Sequence, residues 1–198
     1  MKKLEIKSLI YHDIGPFDLH IEAGECIGLT GPSGAGKTLL LRAVADLEPH
    51  LGLITLDGFP STDFEPPAWR KRVGMLPAES QWWYDRVGSH FTRCEREQFH
   101  RLGFESSVSE WEISRLSSGE KQRLALLRLL CNEPDVLLLD EPTANLDEKN
   151  SQRVEELLSA YRENKRAGMI WVSHDMKQLS RMTTRRFLIK DGRIEVLG

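Results

Sequence analysis

The chain has 198 residues, 40% of them hydrophobic, and a formal net charge of −3 from 27 basic and 30 acidic side chains. That size suits one domain with room for a small inserted unit, and the near balance of charge gives no electrostatic case for nucleic acid as the main partner. Cys26, Cys94 and Cys131 stand far apart with no C-x-x-C pair, so neither a disulfide framework nor a zinc site is expected and a reducing cytoplasm fits; no apolar run is long enough to cross a bilayer, and Met1–Ile6 lacks the apolar core of a signal peptide.

Leu4–Ile6 and Phe17–Ile21 alternate apolar and polar residues and read as strands of a half-buried antiparallel layer. Between them Tyr11 and His12 supply rings that can stack on a nucleotide base. Tyr11 is the preferred of the two, against the plain alternative of an edge-strand aromatic. Glu22–Glu25 turns the chain into Cys26–Thr30, a short apolar run of strand length.

Gly31-Pro32-Ser33-Gly34-Ala35-Gly36-Lys37-Thr38 follows at once and fits G-x-x-x-x-G-K-[ST] at every fixed position. Leu39, Leu40, Leu41, Ala43 and Val44 then open a helical pattern, so the motif has its strand–loop–helix context. A polyphosphate concentrates negative charge, and a helix N-terminus offers unpaired N–H groups with the positive end of the dipole. Gly34 and Gly36 let the backbone come close to phosphate oxygens, Lys37 adds a mobile positive charge, and the Thr38 hydroxyl can ligate Mg²⁺. A chance Gly-rich turn with this spacing and context is a poor competitor.

The helix is expected to end near Glu48-Pro49. Leu53–Gly58 reads as a strand and turn, Pro66-Pro67 begins a new segment, and Val73–Pro77 is a short strand stopped by proline. From about 78 to 133 the character changes to a small helical subdomain, with the aromatic cluster Gln81-Trp82-Trp83-Tyr84 and a loose helical pattern through Phe91, Cys94, Phe99 and Leu102. Ser117 or Ser118 is a fitting N-cap for a helix carrying Leu124, Leu127 and Leu130, which Asn132-Glu133-Pro134 stops. Val136–Leu139 is a continuous apolar run, as in a strand buried on both faces, and it delivers Asp140-Glu141 where α/β folds place ligands. Glu148 to Asn164 is an amphipathic helix; Met169–Val172 is a second buried strand leading to Ser173-His174-Asp175; residues 186–196 form a hairpin turning at Asp191-Gly192.

These residues together resemble the nucleotide-binding domain of the ATP-binding cassette (ABC) family over essentially the whole chain. Leu116-Ser117-Ser118-Gly119-Glu120 resembles the family's signature, usually Leu-Ser-Gly-Gly-Gln; Leu137–Glu141 matches the Walker B strand with its adjoining glutamate; Pro142–Asp147 resembles the D-loop, and Trp171–Asp175 the switch-histidine segment. The resemblance implies an α/β P-loop NTPase fold. A RecA-like, mainly parallel sheet with flanking helices would carry an N-terminal antiparallel β layer and an inserted helical subdomain. One ABC ATPase domain would span 1–198, with 1–77 and 134–198 the nucleotide-binding core. It further implies an ATP hydrolase using ATP and Mg²⁺ in a head-to-tail homodimer. Lys37 and residues 31–39 would hold phosphate, Thr38 and Asp140 the metal, Glu141 would be the general base and His174 the γ-phosphate sensor. Ser117, Gly119 and Glu120 would serve the other subunit's nucleotide.

Three departures from the family pattern bear on this. Leu39 stands where a second hydroxyl is usual, Ala78 where the Q-loop glutamine is usual with Glu79 the next available metal oxygen, and the signature carries Ser118 and Glu120. The implied partner is a separate transmembrane permease, placing the chain at the inner face of the cell membrane with no direct nucleic-acid role. A soluble ABC-type ATPase acting on nucleic acid or ribosomes, or a nucleotide-sensing regulator, is the alternative; neither a long coiled-coil insertion nor a second cassette is present to favour the former.

Overall fold

The computed structural model describes residues 2–91 and 97–197, so Cys94 lies outside the described residues. The chain begins with two long strands, β1 (Lys2–Tyr11) and β2 (Ile14–Glu22), paired antiparallel, and β4 (Leu51–Leu56) adds to the other edge of β1. With the short β5 (Phe59–Pro60) they make a four-stranded sheet in the order β2-β1-β4-β5. Leu4, Ile6, Phe17, Leu19, Ile54 and Leu56 turn inward from it, as the period-2 pattern dictates. β1 runs further than the alternation at Leu4–Ile6 suggests, because bulges such as the one around Ser8, at φ 48°, shift its register while pairing continues.

A second sheet of six strands has the order β10-β9-β3-β8-β7-β6. Its members are β3 (Cys26–Thr30), β6 (Val73–Leu76), β7 (Val136–Asp140), β8 (Gly168–Val172), β9 (Arg185–Lys190) and β10 (Arg193–Leu197). All pairs are parallel except the terminal hairpin β9–β10. β3, β7 and β8 are buried at every residue, which is why they read as unbroken apolar runs.

Successive side chains of β7 divide between two cores. Leu138 joins the antiparallel layer and α1 (Lys37–Val44), while Leu137 and Leu139 join the opposite layer of helices. That layer contains α4 (Ser118–Leu130), α5 (Glu148–Lys165) and α6 (Met176–Met182). α1 stops at Val44, short of Glu48, because Asp46 takes a left-handed conformation at φ 56°. α2 (Pro66–Arg72) starts with proline in its first turn, where the missing N–H costs nothing. α3 (Glu97–Arg101) is a single short turn, although Phe99 and Leu102 are buried as their spacing suggests.

A closed ring of charge ties the layers together. Lys3 Nζ lies 3.1 Å from Asp57 and 2.9 Å from Asp135, and Arg72 lies 3.1 Å from Asp57 and 2.7 Å from Asp135. Cys26 is free and fully buried.

Candidate functional site

β3 ends at the Gly-rich loop, and the loop's geometry needs its glycines. Gly36 caps α1 in a left-handed conformation at φ 92°. At Gly31, φ 150°, an added Cβ would stand 2.2 Å from the carbonyl oxygen of Ile189 on β9. Lys37 is curled over this loop, its ammonium donating to the carbonyls of Gly31 at 2.8 Å and Pro32 at 3.0 Å. Burial lowers its pKa, partly countered by Glu141 and Asp140. A phosphate would offer that cation a stronger, charged acceptor.

The parallel sheet carries the rest of the chemistry to the same end. Asp140 closes β7, and its Oδ2 accepts a 2.7 Å hydrogen bond from Thr38 Oγ1 at the start of α1. Glu141 follows in a left-handed conformation, φ 49°, strained for a side chain of this kind, and its N–H donates to Val172 O on β8. One turn of chain past β8, His174 places Nε2 3.6 Å from Glu141 Oε1. That oxygen is buried with no hydrogen-bond partner. Burial raises the Glu141 pKa, with His174 opposing and Asp140 adding to the rise. A carboxylate kept basic, poorly solvated and missing a partner is prepared to take a hydrogen bond from a water.

The same observation tests the fit of a metal. Thr38 and Asp140 set two hard oxygens 2.7 Å apart, and Glu141 leaves a third unpaired beside them. No cluster of three metal-type side chains occurs among the described residues. A small oxygen set suits Mg²⁺, which takes few protein ligands and fills its shell with water and substrate phosphate.

The predicted signature opens α4. Ser117, not Ser118, is the N-cap, and it forms a capping box. Its Oγ accepts from Glu120 N at 3.2 Å, while Glu120 Oε2 accepts from Ser117 N and Oγ, each at 2.8 Å. Ser117 is exposed, so the helix start faces outward; Gly119 lies where a Cβ would meet Asn145 O at 3.0 Å.

Two expected site residues are placed elsewhere. Tyr11 is only 1% exposed, packs its ring on Phe17 and donates its hydroxyl to Gly36 O at 3.1 Å. It props the loop from beneath and has no open face for a base. His12, beside it, is the exposed ring, 3.4 Å from Glu48. Glu79 is exposed in the turn after β6, and among the described residues no bond joins it to Thr38 or Asp140. Leu39 and Ala35 pack against the first core, and Pro32, Ser33 and Gly34 are the exposed part of the loop.

Pattern reading missed a buried polar group behind these loops. Gln178 of α6 bonds to Thr143, Ser173 and Glu155. α6 has seven residues, too few for periodicity to mark; Asp175 as its N-cap was the available signal. An open groove of about 1120 Å³ runs from Glu141 and His174 between α5 and α6 over this group.

Comparison with known proteins agrees with this geometry. The sequence model of the ABC transporter family matches residues 14–144. The chain is 32% identical to the thiamine import ATP-binding protein ThiQ of Shigella flexneri over 213 aligned positions, covering 100% of this chain and 91% of ThiQ. It is 36% identical to Protein STAR1 of Oryza sativa subsp. japonica over 91% of this chain, but spans only 56% of STAR1. Among solved structures it is similar to a bacterial Atm1-family ABC exporter with ATP bound, with TM-score 0.84 and 21% identity, covering 98% of this chain and 38% of the exporter. It is also similar to cbiO1 from Clostridium perfringens, part of the ABC transporter complex cbiONQ, with TM-score 0.80 and 24% identity over 98% of this chain and 87% of cbiO1. At those identities the two structures speak for the fold alone.

Proposed function

Because the chain belongs to the ABC transporter family, as an ATP-binding subunit with ATPase activity, we propose that it hydrolyses ATP as a head-to-tail homodimer and drives a separate membrane permease. The observation that carries the reading is the convergence of Thr38–Asp140 and Glu141–His174 at one end of the parallel sheet, beside the phosphate-binding loop. Residues 1–77 and 134–198 act as the nucleotide-binding core and about 78–133 as the helical subdomain.

In this mechanism Lys37 leaves the loop carbonyls for the β- and γ-phosphates, and the N–H groups at the start of α1 hold the same anion. Thr38 and Asp140 are the residues that would hold Mg²⁺, and the ion would supply positive charge for the phosphate oxygens. Glu141 orients and polarises the attacking water. His174 bridges Glu141 and the γ-phosphate, so the pair registers whether that phosphate is present. Ser117 and Gly119 cap the γ-phosphate of the other copy, which their outward-facing helix start permits.

The permease contact falls on the aromatic cluster. Trp82 is built into the helical core, but Trp83 and Tyr84 are 64% and 53% exposed. Arg128 stacks on Trp82 at 4.5 Å and on Trp83 at 4.7 Å, and His90 lies edge-on to both, so the exposed rings are held rigid. Rigid aromatic area is what anchors protein interfaces. No helix among the described residues is long and apolar enough to cross a membrane; in this reading the chain attaches at the cytoplasmic face through the permease.

The test is recovery of the Glu141→Gln chain with Mg-ATP from detergent-solubilised native membranes. A co-purifying polypeptide with several hydrophobic spans supports the transporter reading. Ribosomes or nucleic-acid proteins in its place overturn it.

A further inference from the structure

Glu141 and His174 sit on separate loops, after β7 and after β8, and their 3.6 Å spacing is no hydrogen bond that could hold itself. The backbone bond from Glu141 N to Val172 O joins the two loops at their roots, and a side-chain tie lies behind it. The side chain of Gln178 touches both loops.

Its Oε1 accepts from Ser173 Oγ at 3.2 Å, and Ser173 immediately precedes His174. Its Nε2 donates to Thr143 Oγ1 at 2.9 Å, two residues past Glu141. The other Nε2 hydrogen goes to Glu155 Oε1 on α5, also at 2.9 Å. A carboxylate can only accept, so Glu155 fixes which end of the amide is nitrogen. Glu155 is held in turn by Arg181, one turn further along α6, at 2.8 Å and 3.2 Å. Ser173 completes the loop's shape by accepting from Asp175 N at 3.1 Å. Gln178, Ser173 and Glu155 are 4%, 3% and 9% exposed, so the bonds lie at the floor of the groove with little of their surface open to water.

From this we infer that Gln178 is a positioning residue of the ATPase site, clamping the Glu141 loop to the His174 loop through Thr143 and Ser173, with Glu155 and Arg181 setting its orientation. The inference rests on the ATPase reading. Among the described residues the bonds of the Gln178 side chain go to Thr143, Ser173 and Glu155 and not to the phosphate-binding loop. Its loss therefore alters the alignment of the water-activating pair and leaves nucleotide binding alone. Alanine removes the clamp. Glutamate sets a second carboxylate against Glu155 and has no hydrogen to give it.

The experiment uses the full chain and measures ATP turnover, KM for ATP and the melting temperature. Gln178→Ala and Gln178→Glu are each expected to lower kcat roughly tenfold, the scale of a small misalignment at a reacting centre, with KM within about twofold. Combining Gln178→Glu with Glu155→Gln restores the donor–acceptor match and is expected to recover most of kcat. Unchanged kcat in both single variants overturns the clamp. So does a loss of kcat in which KM rises as steeply or the double variant stays as slow as Gln178→Glu, because either is the behaviour of a damaged core. Absence of turnover by the unmodified chain removes the ATPase reading itself, and the clamp falls with it.

Discussion

At the scale of single residues, Glu141 shows stability given up for chemistry. Its carboxyl is held above the ordinary carboxylate range, first by burial. A carboxyl whose folded pKa is raised stabilises the fold only below its unfolded pKa, and that contribution is lost as pH rises through the folded value. At pH 7 the native state therefore carries a poorly solvated charge. Glu141→Gln is expected to raise the melting temperature of the nucleotide-free chain at neutral pH by a few degrees, on the order of what 1 kcal/mol gives a chain of this size. The gain should vanish below about pH 4, where both states bind the proton. A thermal scan at the two pH values checks this; equal or lower melting of the variant at pH 7 counts against a destabilised carboxylate. Leu39 supplies a second prediction. Its N–H can reach phosphate but its side chain packs on the core. Leu39→Thr restores one side-chain bond, about 1 kcal/mol, so ATP should bind about fivefold tighter in a titration with the non-hydrolysing Glu141→Gln background.

At the scale of elements, the strands that deliver the chemistry were legible because burial on both faces leaves a chemical imprint. β3, β7 and β8 are continuous apolar runs, and each ends in the residues the site uses. Tyr11 and Glu79 were not legible, since spacing along the chain does not say which way a side chain turns. Tyr11 turns under Gly36 and Glu79 out to solvent. The Gln178 clamp was invisible for a related reason. Its members come from α5, α6 and two loops, and only the packing of those elements brings them together.

The charge ring is another product of tertiary packing, and it carries its own prediction. For Asp135, burial raises the pKa but the bonds from Lys3 and Arg72 outweigh it, leaving the carboxyl below its ordinary range. For Lys3, burial lowers the pKa and the bonds to Asp135 and Asp57 outweigh that, leaving it raised. The Asp135 contribution is thus lost on acidification and the Lys3 contribution at alkaline pH, so the ring is at full strength between about pH 5 and pH 9. Asp135→Asn should cost about 1–2 kcal/mol in urea unfolding at pH 7, discounted for the partial exposure of the ring. The cost should shrink at pH 3. A pH-independent cost would mean packing, not charge.

At the scale of the whole molecule, the site within one chain is half of what the proposed reaction needs. The loop and Asp140–Glu141 meet at one end of the sheet, while Ser117 is turned outward on a separate helix. The Glu120 carboxylate already occupies the Ser117 N–H and hydroxyl that would meet a partner's phosphate. Glu141→Gln with Mg-ATP should run as a dimer on a sizing column, and adding Glu120→Gln should lower the ATP concentration needed for half-dimerisation by a few fold, since one like charge leaves the phosphate contact. A monomer under all conditions would remove the homodimer reading for the isolated chain.

The strand order has a further consequence for how the protein comes into being. β3 carries the phosphate-binding loop from residues 26–30, yet both its neighbours, β8 and β9, come from residues 168–190, and Ile189 lies directly against Gly31. The nucleotide loop at residues 31–38 therefore gains its sheet neighbours only once residues 168–190 have been made, although Tyr11 already lies beneath it. Such long-range parallel pairing is the slow part of folding. ATP capture is therefore expected only in chains that include β9, so that ribosome-stalled chains ending before residue 185 fail to retain labelled ATP while chains with residues 185–190 clear of the ribosome retain it. Nucleotide occupancy then reports that β9 has been made and paired.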